Sequence, residues 1–148
     1  MQTFLPYKDF LKSAKILDKK RCWKQVIETK QIINCLEGKK VGWGNHPAVK
    51  MWVGYTDALK EYFNAFLQVC LEDHEINTKY DFFDFPSSSR FKIKYPWWLG
   101  NEDFHKAMRA RLIEKDKDFY LSKFPNDEGF NNGKYFWPVI ETKTFRII

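Results

Sequence analysis

The strongest constraint on the fold is a helical pattern of apolar residues between Ala48 and Glu72. Apolar side chains recur there with a period of about 3.6 residues, which places them on one face of a helix. Gly54 interrupts the pattern at a cost of about 1 kcal/mol relative to Ala, and we attribute it to close helix packing. The pattern predicts one long helix with a buried face. The repeat consists of Val49, Trp52, Leu59, Tyr62, Phe63, Phe66 and Cys70.

Shorter patterns of the same kind predict three further helices. They cover Asp9–Leu17, about Lys19–Leu36, and about Asn101–Lys123. Gly38 ends the second of these, which is the usual role of glycine just past a helix. Residues 1–7 should form an extended arm, because Pro6 disfavours helix in the residue before it.

The remaining segments lack a clear period. We predict that residues 73–100 form a long surface loop with one short strand over Arg90–Tyr95. The aromatic tail that ends at Ile148 should be an irregular segment that packs back on the rest of the domain. We therefore expect a mainly α fold. It is a single compact domain, residues 1–148, of about three to four helices with a long irregular loop and an aromatic C-terminal tail.

The charge balance favours a polyanionic partner. The chain of 148 residues carries 25 Lys and Arg against 19 Asp and Glu, a net charge of +6. Nucleic acid is the first candidate for such a protein, although many small proteins are basic without a specific partner. We find no Walker loop, GxSxG or HExxH motif, and the three scattered histidines do not indicate a metal site. We expect no cofactor.

The cysteines and the hydropathy bear on the compartment. Cys22, Cys35 and Cys70 are odd in number and form no CxxC pair, which argues against a disulfide scaffold or a zinc ribbon and favours a reducing compartment. The N-terminus lacks the pattern of a signal peptide, and no run reaches the roughly 18 apolar residues of a membrane span. We expect a soluble cytoplasmic protein without a membrane partner.

The second predicted helix has two distinct faces at about 100° per residue. Cys22, Val26, Thr29, Ile33 and Leu36 form the core stripe. A different arc, roughly 80° wide, carries Arg21, Lys24, Glu28 and Gln31. One carboxylate thus lies among two cations and an amide. The alternative is an exposed face with a Lys24–Glu28 pair, worth a few tenths of a kcal/mol.

Two other places carry groups suited to phosphate. At the start of the long helix, Asn45 and His46 can donate to an anion beside the helix N-terminus, and Lys50 follows one turn later. On the last helix, His105 and Arg109 share a face and Arg111 follows. The alternatives are a capped helix with a solvated histidine, and a solvated basic face.

Several segments resemble the pyrimidine-dimer DNA glycosylase family, also called phage-type endonuclease V. These segments are TFLPY-x-DF-x-KSA-x-x-LD-x-KR, then KQ, two residues and Glu, then NHPAVKMW-x-GY-x-DALK-x-Y, PWWLG-x-E-x-FH, K-D-x-x-FY and YFWP. They are similar to the bacterial and viral branch of the family and recur in order over about residues 3–62 and 95–120. The loop from His74 to Lys94 is outside the resemblance.

The resemblance implies a glycosylase with abasic-site lyase activity on a pyrimidine lesion in double-stranded DNA. A protein amine attacks C1′, the base leaves, a Schiff base forms, and β-elimination nicks the strand. Glu28 occupies the place of the glutamate that assists ring opening and proton transfer. Between Arg21 and Lys24, this carboxylate should stay ionised. The DNA-binding residues that we predict are Arg21, Lys24, Gln25, Gln31, Asn45, His46, Lys50, His105, Arg109 and Arg111.

The nucleophile implied by the resemblance is an α-amine. An α-amino group has a reference pKa of about 8, far below that of lysine, so it is readily neutral near physiological pH. Because Gln2 is bulky, Met1 should be retained after synthesis, and we predict that the Met1 amine is the nucleophile and Glu28 the second catalytic group. Trp43, Trp97 and Trp98 are candidates to wedge or stack on bases, with core positions as the alternative.

Two departures from the family pattern motivate a second hypothesis. Val26 stands where the family has a basic residue, and Arg111 replaces an asparagine. These changes indicate either a different damaged or modified base or weakened catalysis. The alternative function is a non-catalytic DNA- or nucleotide-binding protein that retains the fold, and a more distant one is an unrelated helical adaptor. We expect a monomer from a bacterial cell or a virus-infected host cell.

Overall fold

The computed structural model describes residues 1–39, 42 and 44–148. The prediction of a mainly α fold is confirmed. Within the described residues none of the helices is long and apolar enough to cross a bilayer. The helices are α1 (Phe10–Ile16), α2 (Lys19–Leu36), α3 (Pro47–Lys50), α4 (Thr56–Glu72), α5 (Glu102–Lys115) and α6 (Lys117–Tyr120), and a short 3-10 helix covers Phe130–Gly133.

The first two helices lie where the sequence predicts them, and each begins at an aspartate. Asp9 Oδ1 accepts from the Lys12 backbone N–H at 2.7 Å, and Asp18 Oδ2 accepts from the Arg21 backbone N–H at 3.3 Å. Such caps satisfy backbone donors that have no partner inside the helix. The start of α2, which carries the candidate catalytic glutamate, is therefore fixed locally.

The prediction of one helix over Ala48–Glu72 is wrong. The chain leaves the helix after Lys50 and re-enters it at Thr56, and Gly54 lies between them with φ of +85°. A side chain rarely adopts this left-handed conformation, so glycine serves the turn. Close packing is not its role, since a Cβ built at Gly54 would meet no atom within 4 Å.

The predicted last helix is likewise divided in two. Asp116 has φ of −154° and ψ of 82°, which ends α5, and its Oδ1 accepts from the Phe119 backbone N–H at 3.2 Å at the start of α6. These two divisions explain why the structure has more helices than the three to four that we expected.

The core lies between α2 and α4, with α1 packed on α4. The predicted stripe of α2 is confirmed: Cys22, Val26, Thr29 and Ile33 are buried, and Leu36 is half-buried. Aromatic rings fill much of the interior. Tyr62 and Phe66 stack with centroids 4.1 Å apart, and Trp52 meets Trp98 edge-on at 4.9 Å.

The irregular segments differ from the prediction in where the strands lie. The predicted strand over Arg90–Tyr95 is wrong, because this segment has no strand partner. Phe91 and Ile93 are half-buried, and Ile93 packs on the core. Strands form in the tail, which we expected to be irregular. β1 (Phe136–Val139) pairs antiparallel with β2 (Thr144–Ile147), and β1 packs against α3 and α5.

Candidate active site

The N-terminal arm, residues 1–7, is buried from Gln2 to Pro6 although it has no regular secondary structure. Side chains of α2, α4 and α5 supply the hydrogen bonds that its backbone needs. Phe4 N–H donates to Gln25 Oε1 at 2.8 Å, Phe4 O accepts from the Tyr62 hydroxyl at 2.9 Å, Leu5 O accepts from His105 Nδ1 at 2.8 Å, and Pro6 O accepts from Arg109 Nη1 at 2.8 Å. These contacts fix the path of the arm.

The start of the arm lies beside the candidate catalytic glutamate. The Gln2 backbone N–H donates to Glu28 Oε2 at 3.0 Å. One residue further, Thr3 Oγ1 accepts from the Trp52 indole at 3.1 Å inside the core. Met1 directly precedes Gln2, so the residue beside Met1 is bonded to Glu28 through its backbone.

Met1 and Glu28 share one cavity of about 350 Å³. Its walls come from the arm, from the outer face of α2, from the C-terminal half of α5 and from the tail. The lining residues are Met1, Gln2, Phe4, Lys20, Arg21, Lys24, Gln25, Glu28, Arg111, Lys115 and Tyr135.

The cavity is strongly positive, since five of its lining residues are Lys or Arg and Glu28 is the single carboxylate among them. Lys24 Nζ lies 3.8 Å from Glu28 Oε1. The pKa of Lys115 is lowered by partial burial and by the neighbouring charges of Arg111, Arg21 and Lys24. Cations gathered this closely favour an anionic ligand such as a phosphate backbone.

Arg21 is held in place by groups behind the cavity. Its guanidinium lies 3.3 Å from Asp18 and 3.8 Å from Asp116, and Nη2 donates to the Lys115 carbonyl at 3.5 Å. Asp18 also accepts from the Tyr120 hydroxyl. Burial raises the pKa of Asp18, but the hydrogen bonds from Tyr120 and Arg21 lower it overall. A charged Asp18 therefore orients Arg21.

The predicted phosphate site at Asn45, His46 and Lys50 lies beside the cavity. His46 Nδ1 accepts from the Ala48 backbone N–H at 3.0 Å and so caps α3. Burial and the charge of the N-terminal amine lower the pKa of His46. Asn45 and Lys50 line a second, smaller cleft against the tail, of about 160 Å³, which also contains Arg146.

The structure thus brings together six of the predicted site residues. They are Met1, Arg21, Lys24, Gln25, Glu28 and Arg111. Gln31 lies on α2 outside the cavity lining, Asn45 and Lys50 belong to the neighbouring cleft, and His46 lines neither.

Three residues predicted to bind DNA make hydrogen bonds to the arm. Gln25 and His105 are 2% and 4% exposed, and Arg109 is half-buried in an ion pair with Asp127 at 2.7 Å. His105 Nε2 accepts from the Gly100 backbone N–H at 2.9 Å, which places the ring proton on Nδ1 for the bond to Leu5. Burial lowers the pKa of His105. The alternative of a solvated basic face is wrong at His105, which is buried.

The tryptophans that were candidates to wedge or stack on bases differ in burial. Trp98 is fully buried and donates to the Met51 carbonyl at 3.0 Å, so it belongs to the core. Trp97 is half-buried against Phe145, with ring centroids 5.2 Å apart. Trp43 lies outside the described residues.

Sequence reasoning missed several lining residues, namely Gln2, Phe4, Lys20, Lys115 and Tyr135. Lys115 was detectable, since it follows Arg111 by four residues and such residues share a helix face. Tyr135 had no local signal, because its place in the cavity depends on how the tail folds back.

A positive cavity that holds an N-terminal residue and a carboxylate suits an anionic substrate. A family model described as pyrimidine dimer DNA glycosylase matches residues 1–83, more than half of the chain, so the chain belongs to this family. The match includes Met1, the arm and Glu28, whereas Arg111, Lys115 and Tyr135 lie beyond it. No curated protein and no solved structure matches the chain. The family is one of DNA-repair glycosylases, and it implies DNA as the partner.

Proposed function

We propose that this protein removes a damaged pyrimidine from duplex DNA and then cleaves the strand at the resulting abasic site through an imine on the Met1 amine. The observation that carries this proposal is the shared cavity of Met1 and Glu28, with the Gln2 backbone bonded to that carboxylate. Membership of a DNA glycosylase family supports the first step.

The chemistry begins with the neutral Met1 amine. Its lone pair forms a bond to C1′ of the damaged nucleotide, and the bond from C1′ to the base breaks with its electrons leaving on the base. Glu28 accepts the proton that the new ammonium sheds and delivers it to O4′ as the sugar ring opens. The product is an imine between C1′ and the protein.

The lyase step follows from the imine. Its positive nitrogen withdraws electrons and acidifies C2′, so a proton leaves C2′ and the 3′ phosphate departs by β-elimination. Glu28 is the carboxylate of the cavity lining and the natural group to accept that proton. Hydrolysis of the imine then releases the protein amine.

The cations of the cavity have a separate task. Lys20, Lys24 and Lys115 contact phosphates on either side of the damaged nucleotide, and Arg21 is oriented toward the same space by Asp18. Each neutralised phosphate releases counterions, so we expect DNA affinity to fall steeply with added salt.

Borohydride trapping tests the proposal. Duplex DNA with one abasic site is incubated with the protein and borohydride, and the adduct is mapped by mass spectrometry. We expect the sugar remnant on the N-terminal peptide that begins with Met1. Glu28→Gln should slow adduct formation by about 10²- to 10⁴-fold, the usual contribution of a general acid or base.

Glu72→Gln is the matched control, because Glu72 is an exposed glutamate on α4 away from the cavity. This variant should trap like the wild type. The proposal is overturned if the wild-type protein forms no adduct while a known lyase does. Salt-sensitive DNA binding without any adduct, unchanged in Glu28→Gln, would instead establish the non-catalytic binding protein.

A further inference from the structure

Two hydrogen-bond donors of the cavity residues have no partner. Five buried side-chain nitrogen or oxygen atoms in the described residues lack a hydrogen bond, and two of these are Nε2 of Gln2 and Nε of Arg111. Leaving such a group without a partner destabilises the folded state. Buried polar groups are otherwise nearly always paired, so each exception needs an explanation, and a missing ligand is one.

The Gln2 amide is held in one orientation. Its Oε1 accepts from the Thr3 backbone N–H at 2.8 Å, and its backbone is bonded to Glu28. Because the oxygen is committed, the remaining end of the amide is the Nε2 donor. Gln2 is only 6% exposed, yet it lines the cavity. A buried donor is therefore presented at the wall of the site.

Arg111 approaches the same part of the cavity from α5. Its guanidinium lies 5.5 Å from the centre of the Tyr135 ring. Burial raises the pKa of Tyr135, and Arg111 and the Gln2 amide both oppose this rise. Both donors thus lie near the Tyr135 phenol, but neither Nε2 of Gln2 nor Nε of Arg111 makes a hydrogen bond of normal geometry there.

The chemistry of this corner fits a pyrimidine base. Two N–H donors require an acceptor, and the carbonyl oxygens of a pyrimidine are acceptors. The rings of Phe4 and Tyr135 offer apolar surface to a flat heterocycle. Carbonyl O2 also adjoins N1, the atom that carries the bonding electrons when the glycosidic bond breaks, so charge develops where a donor can stabilise it.

We propose that Gln2 and Arg111 donate hydrogen bonds to a carbonyl oxygen of the departing pyrimidine and stabilise the anion it becomes. The inference rests on the proposed function and adds two catalytic residues to it. As the bond from C1′ to N1 breaks, its electron pair passes to N1 and O2 of the base. The two donors keep their protons, and the base anion takes a proton from water.

Comparing two substrates separates this role from a structural one. Pyrimidine-dimer DNA requires base departure, whereas abasic-site DNA has no base to stabilise. Gln2→Glu keeps the oxygen that accepts from the Thr3 N–H and a bulky second residue, so Met1 stays in place, which mass spectrometry verifies, and it removes only the Nε2 donor. The ratio of its single-turnover base-excision rate to its trapping rate on abasic-site DNA should fall by about 100-fold, the scale of losing one preorganised donor.

Arg111→Lys is an independent variant, since it keeps the charge and removes the Nε donor. Its base excision on dimer DNA should fall much more than its trapping on abasic-site DNA, as in the Gln2 variant. Lys20→Gln is the control, because loss of a phosphate contact weakens both reactions alike.

The possible outcomes differ clearly. Unchanged base excision in both variants, or an equal loss on both substrates, overturns the inference while the wild-type adduct leaves the proposed function intact. Absence of any adduct with the wild-type protein overturns both.

Discussion

The N-terminal arm, residues 1–7, and the loop, residues 77–95, make an instructive pair. Both are aromatic, both contain proline, and neither has regular secondary structure. The arm is nevertheless buried from Gln2 to Pro6, whereas most of the loop is exposed, with Phe82 at 47% and Tyr95 at 48%.

The two segments differ in the source of their hydrogen bonds. The arm makes hydrogen bonds to side chains of three helices, at successive residues from Phe4 to Pro6. The loop has one comparable anchor, where Asn64 pairs with both the N–H and the carbonyl of Phe83 at 2.8 and 2.9 Å. An irregular segment is held rigidly when core side chains satisfy its backbone, and the arm presents Met1 for that reason.

The largest expected effect comes from removing the shared acceptor of the arm. Gln25 Oε1 accepts from Phe4 N–H, and it lies 3.1 Å from the Tyr62 hydroxyl, whose one proton is shared with Phe4 O. Gln25→Leu leaves the buried Phe4 N–H unpaired, while the Tyr62 hydroxyl keeps Phe4 O as its acceptor at 2.9 Å, so we expect a loss of about 1–3 kcal/mol in the free energy of unfolding, measured in urea. Borohydride trapping should fall as well, since Met1 is no longer held beside Glu28.

Gln31→Leu is the matched change on the same helix, outside the cavity. It should alter stability by no more than about 0.5 kcal/mol. Equal losses in the two variants would show that the arm is not held by Gln25 and that the contrast with the loop is wrong.

The pH dependence of the free energy of unfolding should reveal the contact between His105 and Leu5 of the arm. Burial lowers the pKa of His105, and the pKa of His46 is lowered too. As the pH falls, these histidines therefore become protonated in the unfolded chain before they do so in the folded chain. The free energy of unfolding should decrease below about pH 6.5, by up to about 1.4 kcal/mol per pH unit for each histidine. Denaturant unfolding between pH 7.5 and 5 (roughly spanning that reference value) measures this slope.

His105→Gln should flatten the slope and leave the part that His46 contributes. A wild-type protein whose stability rises on mild acidification would contradict the neutral, arm-binding state of His105.

A smaller effect is expected from the single anchor of the loop. Asn64→Ala removes the two bonds to Phe83, and we expect a cost of about 1 kcal/mol with faster proteolysis within residues 84–95. Trapping on abasic-site DNA should stay at the wild-type rate, because the loop does not line the cavity. A loss of trapping would mean that the loop, like the arm, positions the site.

The smallest effect should come from the exposed side of the loop. Phe82→Ser should change stability by less than about 0.5 kcal/mol. Phe83→Ser is the neighbouring comparison, and it should cost about 1–2 kcal/mol because this ring packs on Phe63 at 5.0 Å and lies under Lys30 Nζ at 4.5 Å. Equal unfolding midpoints for the two variants would show that the loop has no packed side.

The sequence by itself determined the helical class, the bounds of α1 and α2, and the grouping of Glu28 with Arg21 and Lys24. These features follow from local rules, since apolar period, aspartate caps and helical spacing act within a few residues. The family motifs likewise lie in contiguous stretches, which is why the resemblance was readable before the fold was known.

Only the tertiary structure decided what His105, Arg109 and Gln25 do. The bond from His105 to Leu5 spans 100 residues and that from Arg109 to Pro6 spans 103, and no local pattern distinguishes a basic helix face that binds DNA from one that clamps a distant arm. The place of Tyr135 in the cavity also depends on long-range packing. Local spacing fixes which side chains share a face, but burial against distant segments decides whether that face meets solvent or the chain itself.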